Sequence, residues 1–276
     1  MRDEAREILA HYERMVALEA ERLAGHQLER DMTRRYLETY LQSGRVLEIG
    51  AATGEYTAWL ADRGYKVTAV DLSPSLIGRC KQRLKETEKA ACVDCYVADA
   101  RDLSAVPGGP FDGVLLMGPL YHLHRRENRL AALRESIARL RPGGVFFSAL
   151  ISRLGIMGEL LRRNPAWIEN QEQVRSILES GHDLEDSGEG RFHGYYVQID
   201  EIAPLHEEAG LETTIIAGVE PAVSADDESY NRLRGRRRDL WLDLFWDLSR
   251  EPALLAGSRH LLYIGRKPGL PLDESI

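Results

Sequence analysis

Val46-Leu47-Glu48-Ile49-Gly50-Ala51-Ala52-Thr53-Gly54-Glu55-Tyr56 reads as a short apolar strand that runs into a glycine-rich turn and then into the first turn of a helix. Lys66 to Val70 reads as a second strand, and Asp71 follows it. A strand, a glycine turn, a helix N-terminus and an acid after the next strand form the general apparatus for a nucleoside-containing ligand. The glycines let the ligand approach the backbone, and the carboxylate accepts two ribose hydroxyls. A dinucleotide turn, G-x-G-x-x-G, needs glycines at 50, 52 and 55, where this chain has Gly50, Ala52 and Glu55. A carboxylate in the first helical turn repels a pyrophosphate, so the turn is read as one for a ligand without phosphate.

Outward from this turn the chain alternates. Two helices are expected before it, with Ile8, Leu9, Tyr12, Met15 and Val16 on one face and Met32, Tyr36, Leu37, Tyr40 and Leu41 on another. After it come a helix around Tyr56, Trp59 and Leu60, a helix opened by Ser73-Pro74, and a strand Cys92 to Val97 ending at Asp99. A continuous apolar strand, Phe111 to Met117, precedes a helix over Leu130 to Leu140, and Pro142-Gly143-Gly144 leads to a strand Val145 to Ile151. The last third adds a polar and helical insertion, a helix Ile202 to Ala209, a strand Glu212 to Val219, a second helical insertion from about Asp226 to Ser249, and a strand His260 to Arg266. Strands apolar on both faces and separated by helices predict a Rossmann-like α/β three-layer sandwich, with a mostly parallel seven-stranded sheet and helical cap insertions. The expected division is an N-terminal helical cap at 1–43, a ligand-binding core at 44–151, a lid at 152–198, and the rest of the sheet at 199–267. A helical insertion at about 221–256 interrupts that last part, and a tail follows at 268–276.

Bulk properties narrow the function. With 276 residues, 43% hydrophobic and 29% charged, the chain is an ordinary globular protein long enough for one α/β domain with appendages. The formal charge of −8 disfavours a nucleic-acid footprint, and no segment approaches the roughly 20 apolar residues of a membrane span. A charged N-terminus and three cysteines, an odd number, fit a cytoplasmic protein in a reducing compartment. Nothing in the pattern specifies an oligomer.

Glu48-Ile49-Gly50-Ala51-Ala52-Thr53-Gly54 resembles the first motif of class I S-adenosylmethionine-dependent methyltransferases, an acid-x-Gly-x-Gly-x-Gly turn in which Ala52 is the one departure. VTAVDLS with Asp71, VADARDL with Asp99, FDGVLLMGPLYHL and LRPGG resemble the same family in register, over Gly44 to Ile151 and loosely to the last strand. The resemblance implies S-adenosylmethionine as cofactor, a sulfonium cation with an amino group and no phosphate, for which acids at the turn help. It assigns Glu48 to the methionyl amine, Gly50, Ala51, Ala52 and Gly54 to close backbone approach, and Asp71 with Leu72 to the ribose. Asp99, with Ala100 and Arg101, is assigned to the adenine, while Tyr56 and Met117 complete the cofactor site. Each acid also has a structural alternative, Asp71 capping the next segment and Asp99 anchoring the turn to Leu103.

The loop Met117-Gly118-Pro119-Leu120-Tyr121-His122-Leu123-His124 is where the resemblance places the acceptor. Relatives that methylate nucleobases or glutamine often carry Asn-Pro-Pro-aromatic here, and Met-Gly-Pro-Leu-Tyr departs from it. His122 is the general-base candidate, the alternative being a helix-opening histidine bonded to backbone, and His193 is a second candidate. Tyr12, Arg22, Tyr121, Tyr195 and Tyr196 are candidate substrate contacts. Tyr12, Arg22 and Arg34 resemble positions that cover the cleft in related small-molecule enzymes. His122-x-His124 has no third ligand nearby, so no metal is expected. Cys92-x-x-Cys95 lies on a strand and reads as buried thiols, and the arginines from 232 to 238 read as a solvated helix. The expected function is methyl transfer to an oxygen, or a nitrogen or carbon, of a small organic molecule. The alternatives are a protein or RNA acceptor, and a fold member that binds the cofactor without transferring methyl.

Overall fold

The structure, a computed structural model, describes residues 2–183, 194–222 and 226–269, excluding the side chains of residues 2–3 and 15–24. Seven strands form one sheet: β1 (Arg45–Ile49), β2 (Lys66–Asp71), β3 (Val93–Val97), β4 (Phe111–Leu116), β5 (Leu140–Ile151), β6 (Glu212–Gly218) and β7 (His260–Arg266). Their order is β3-β2-β1-β4-β5-β7-β6, and only β7 runs antiparallel to its neighbours. The chain leaves β1 toward β2 on one side and reaches β4 on the other, so the sheet's switch point lies between β1 and β4, where ligands of open α/β sheets bind.

The helices are α1 (Arg2–Gly25), α2 (Gln27–Tyr40), α3 (Glu55–Asp62), α4 (Pro74–Glu86), α5 (Pro119–His122), α6 (Arg126–Ala138), α7 (Ile156–Arg163), α8 (Gln171–Ser180), α9 (Ile199–Glu208), α10 (Asp227–Asn231), α11 (Gly235–Leu248) and α12 (Pro252–Leu255). Alternation along the strands divides the core in two. Leu47, Ile49, Val114, Leu116 and Phe146 face Leu133 and Ile137 of α6 and Ile202 and Leu205 of α9. Val46, Leu115, Val145 and Phe147 face Leu28, Met32, Tyr36 and Leu37 of α2, Leu60 of α3 and Phe245 of α11. Thus α2, expected as part of a cap, is a layer of the core.

Three expectations need correction. Strand β5 starts at Leu140 rather than Val145, because Phe111 pairs with Leu140 and Gly113 with Val145, leaving Pro142-Gly143-Gly144 as an excursion inside the strand. The helical insertion with α10 and α11 is no lid on the cleft, since it packs its aromatic face on α2 and β6. The insertion at 152–198 is no lid either, since none of its described residues lines the cleft, and Val197 N–H to Ile151 O at 2.9 Å fastens it to the end of β5.

The motif turn itself is tightly built. Gly50 has φ +82°, and a Cβ there would lie 2.3 Å from Met117 O and 2.8 Å from Pro119 Cδ. Gly50→Ala is therefore expected to destabilise the protein by roughly 1–3 kcal/mol through overpacking against main chain. Chemical denaturation measures this, and an unchanged midpoint would contradict the packing described.

Candidate active site

The carboxyl ends of β1, β2 and β4 and the segment after β3 open into one cleft. The first turn contributes Glu48, Ile49, Gly50, Ala51 and Ala52, and the start of α3 adds Glu55 and Tyr56. Asp71 and Leu72 follow β2, and Ala98, Asp99, Ala100 and Arg101 follow β3. The loop after β4 and α5 supply Met117, Gly118, Pro119, Tyr121, His122 and Leu123. Gly54 does not line the cleft. It caps α3 in the left-handed conformation, φ +78°, and rests on Cys80.

Asp71 performs its structural role as well as facing the cleft. Its Oδ2 accepts the Ala52 N–H at 2.8 Å and its Oδ1 accepts the Ser73 N–H at 2.9 Å, tying the turn after β1 to the end of β2. Ala52 has φ +48°. The departure from glycine thus costs backbone strain, about 1–2 kcal/mol for a left-handed L-residue, rather than only narrowing the cleft. Asp99 is likewise engaged: Arg101 Nε and backbone N–H reach its Oδ1 at 2.9 Å each, and Arg101 Nη2 reaches Oδ2 at 2.6 Å. That bidentate pair holds the Asp99 carboxyl below its ordinary range against the opposing effect of burial.

The two acids from which the sequence argument took its charge are not bare charges. Glu48 is only 1% exposed, accepts the Thr57 hydroxyl at 2.5 Å, and is pushed by burial up to about 8, so it holds a proton at neutral pH. Glu55 sits between Arg34 Nη2 at 2.6 Å and Arg83 Nη1 at 2.5 Å, because α2 and α4 flank the first turn of α3. Neither arginine is legible as a partner in the sequence, 21 and 28 residues away. Glu48 also sets a pH dependence. Its folded value lies above the unfolded one of about 4.5, so the stability gained from keeping it neutral is present below that pH and is lost as pH rises toward 8. Glu48→Gln is expected to flatten denaturation free energy against pH across this window by about one proton's slope. An unaltered slope would show that Glu48 is already ionised.

The N-terminal helices form the remaining wall. Ala5, Ile8 and Tyr12 of α1 and Glu29 of α2 line the cleft, and none of the described residues after Ala149 does. Carboxylates clasp α1 down. Glu4 accepts the His124 N–H at 2.7 Å, the Asn128 amide at 2.5 Å and Arg101 Nη1 at 3.1 Å. Glu13 accepts the Ser73 hydroxyl at 2.5 Å and the Ser75 N–H at 3.2 Å. The position of Ile8 beside Tyr12 was readable from their helical spacing, whereas Glu29 had no sequence signal.

Across the cleft from the glycine turn, Tyr12 Oη and His122 Nε2 are 2.5 Å apart, bringing together two sequence candidates 110 residues distant. His122 is 6% exposed and lies against the Tyr121 ring, centroids 4.8 Å apart. Tyr195 and Tyr196 are not brought into the cleft. Tyr195 lies behind α5, its N–H on Tyr121 O at 2.8 Å and its ring under the Arg129 guanidinium, while Tyr196 is buried with Ile151, Ile156, Trp167 and Ile177. The β-bridge of Val197 to Ser152 ties this segment to the chain just past the end of β5. His193 and the side chain of Arg22 lie outside the described residues.

A buried ionic cluster stands beside Glu29. His26, Glu220 and Asp227 have metal-ligand spacing, yet each is bonded to the Arg259 guanidinium, which is the cation there. Sequence reading gave no hint of it, as its members come from the residue before α2, the segment after β6, α10 and the residue before β7.

Residues 46–144 match a family described as a methyltransferase domain, with the strands, turn and acids placed as above. Over these residues the chain resembles a class I S-adenosylmethionine-dependent methyltransferase domain. The ubiquinone biosynthesis O-methyltransferase of Xanthomonas campestris pv. campestris (strain B100) is 35% identical over 113 residues, 41% of this chain and 45% of that one, so the chain spans less than half the length of this relative. The protein of the same name from Xanthomonas euvesicatoria pv. vesicatoria is 28% identical over 187 residues, 67% of this chain and 70% of that one. The crystal structure of Burkholderia thailandensis 1,6-didemethyltoxoflavin-N1-methyltransferase, with bound 1,6-didemethyltoxoflavin and S-adenosylhomocysteine, shares the fold with a TM-score of 0.61 at 16% identity. That likeness covers 97% of this chain and 90% of the other. The donor set of the cleft fits S-adenosylmethionine: carboxylates at the ends of β2 and β3, a protonated acid under the turn that a cation can ionise, and backbone exposed at Gly50.

Proposed function

We propose that this methyltransferase transfers the methyl group of S-adenosylmethionine to a nucleophilic oxygen, or a nitrogen or carbon, of a small organic molecule. The observation that carries this reading is the Tyr12–His122 pair facing the cofactor motifs across one cleft. Bound S-adenosylmethionine supplies a methyl carbon activated by a positive sulfur, open to in-line displacement. The chain's own task is to orient the acceptor and remove its proton.

His122 Nε2 is committed to Tyr12, so the acceptor reaches the base through the phenol. An acceptor O–H donates to Tyr12 Oη while the Tyr12 O–H donates to His122 Nε2, and the proton ends on the imidazole. The positive charge that the sulfur loses is thereby matched by one gained at His122. Asp71 and Leu72 would hold the ribose, Asp99, Ala100 and Arg101 would border the adenine, and Met117, Tyr56 and the turn would enclose the methionyl arm. Tyr121 and the α1 residues Ala5 and Ile8 shape the acceptor side.

Oxygen is favoured because a hydroxyl acceptor needs this proton path, and the relatives named O-methyltransferases support the same preference. The enclosing α1 favours a small acceptor over RNA or a protein tail, and no described helix is long and apolar enough to cross a membrane. Incubation with methyl-labelled S-adenosylmethionine and a metabolite extract of the source organism is expected to label a small molecule. Label in RNA or protein alone, or no release of S-adenosylhomocysteine, would replace this reading with one of its alternatives.

A further inference from the structure

Two of the three cysteines meet in the structure, although the pair with the suggestive spacing does not. Cys80 of α4 and Cys95 of β3 pack in one small cluster with Ala51, Ala69 and Leu84. Cys95 stands across from Ala69 in the β2–β3 register, on the face that α4 covers, and its side chain packs against the cluster that holds Cys80. Cys92, three residues earlier, is exposed and outside the cluster.

The two thiols are unlike each other. Cys95 is half-buried, and the neighbouring Cys80 thiol together with Lys81 favours its thiolate. Cys80 is fully buried and keeps its proton. A half-buried thiol that favours its thiolate beside a fully buried protonated one is the arrangement of an attacking and a resolving cysteine. Cys80 also supports the glycine turn: a Cβ on Gly54 would lie 2.5 Å from Cys80 Sγ and 3.3 Å from its Cα, so the two are in contact without slack.

We propose that a peroxide drives Cys80 and Cys95 into a reversible disulfide, and that closing it weakens the cofactor site. The Cys95 thiolate attacks one peroxide oxygen, the O–O bond breaks, and the departing hydroxide takes a proton to become water, leaving a sulfenic acid. The Cys80 sulfur then attacks the Cys95 sulfur, the S–S bond forms, the S–O bond breaks, and hydroxide leaves with the Cys80 proton as water. The two thiols lose two electrons and the peroxide gains them. A disulfide holds its sulfurs about 2.05 Å apart, closer than two thiols in contact, so closure shifts Cys80 in its packing beside Gly54. The effect on affinity rests on the reading of this turn as the cofactor site.

The test treats the full-length protein with hydrogen peroxide, maps disulfides in a non-reducing digest, and titrates S-adenosylhomocysteine before and after. The wild type and Cys92→Ser are expected to yield a Cys80–Cys95 linked peptide and to lose at least about tenfold in affinity, restored by dithiothreitol. Cys95→Ser, altered at the half-buried partner, is expected to keep its affinity in peroxide. A Cys92–Cys95 link, or a Cys95 sulfinic acid with Cys80 still reduced, would overturn the pairing. A Cys80–Cys95 link with unchanged affinity would overturn the control of the cofactor site. Reduced protein that fails to bind S-adenosylhomocysteine would instead overturn the functional reading and leave the disulfide map standing.

Discussion

Asp71→Ala raises the Kd for S-adenosylmethionine by roughly 10²–10⁴-fold. The carboxylate stands at the end of β2 in the cleft, and two charge-assisted hydrogen bonds to ribose hydroxyls are worth about 3–6 kcal/mol together. The substitution also releases the Ala52 and Ser73 N–H groups, so the turn loses its tie to β2 at the same time. Asp71→Asn should recover only part of the affinity, since its amide nitrogen meets an N–H donor where the carboxylate offered an oxygen. Isothermal titration measures both variants, and wild-type heat in Asp71→Ala would remove the cofactor assignment of the whole turn.

His122→Gln is expected to lower kcat by about 10²–10⁴-fold while leaving S-adenosylhomocysteine affinity near the wild-type value. Glutamine can still accept the Tyr12 hydroxyl, which keeps α1 in place, but it cannot take the proton. Tyr12→Phe interrupts the same relay, so the double variant should be little slower than His122→Gln alone, as for residues that act as one unit. The acid limb of the wild-type kcat profile should vanish in His122→Gln. Multiplied effects in the double variant, or a kept acid limb, would return His122 to a packing role.

The contrast between Asp71 and His122 shows how far sequence reasoning reached. Asp71, Asp99 and the glycine turn belong to local patterns, because each strand and the acid after it are contiguous and the backbone carries the side chain to the same end of a parallel sheet. The strands were readable for the same reason: β2, β6 and β7 fall within a residue of their expected limits. Where the main chain does something local patterning does not encode, the reading slipped. The Pro142-Gly143-Gly144 excursion inside β5 is one case. The placement of Tyr195 and Tyr196 is another, set by a bridge between Val197 and Ser152 across 45 residues of chain.

By itself the sequence determined the fold class and the order of strands, glycine turn and acids, since these follow from short-range periodicity and from the stereochemistry of βα units, while the resemblance to class I methyltransferases singled out the loop that holds His122. Only the tertiary structure decided which charges the cleft presents. Burial protonates Glu48, Arg34 and Arg83 answer Glu55, and Arg101 grips Asp99, because desolvation and ion pairing depend on what packs against a group and not on its chain neighbours. It decided as well that α1 brings Tyr12 to His122 and that Cys95 meets Cys80 rather than Cys92, contacts made by helices folding back over a sheet.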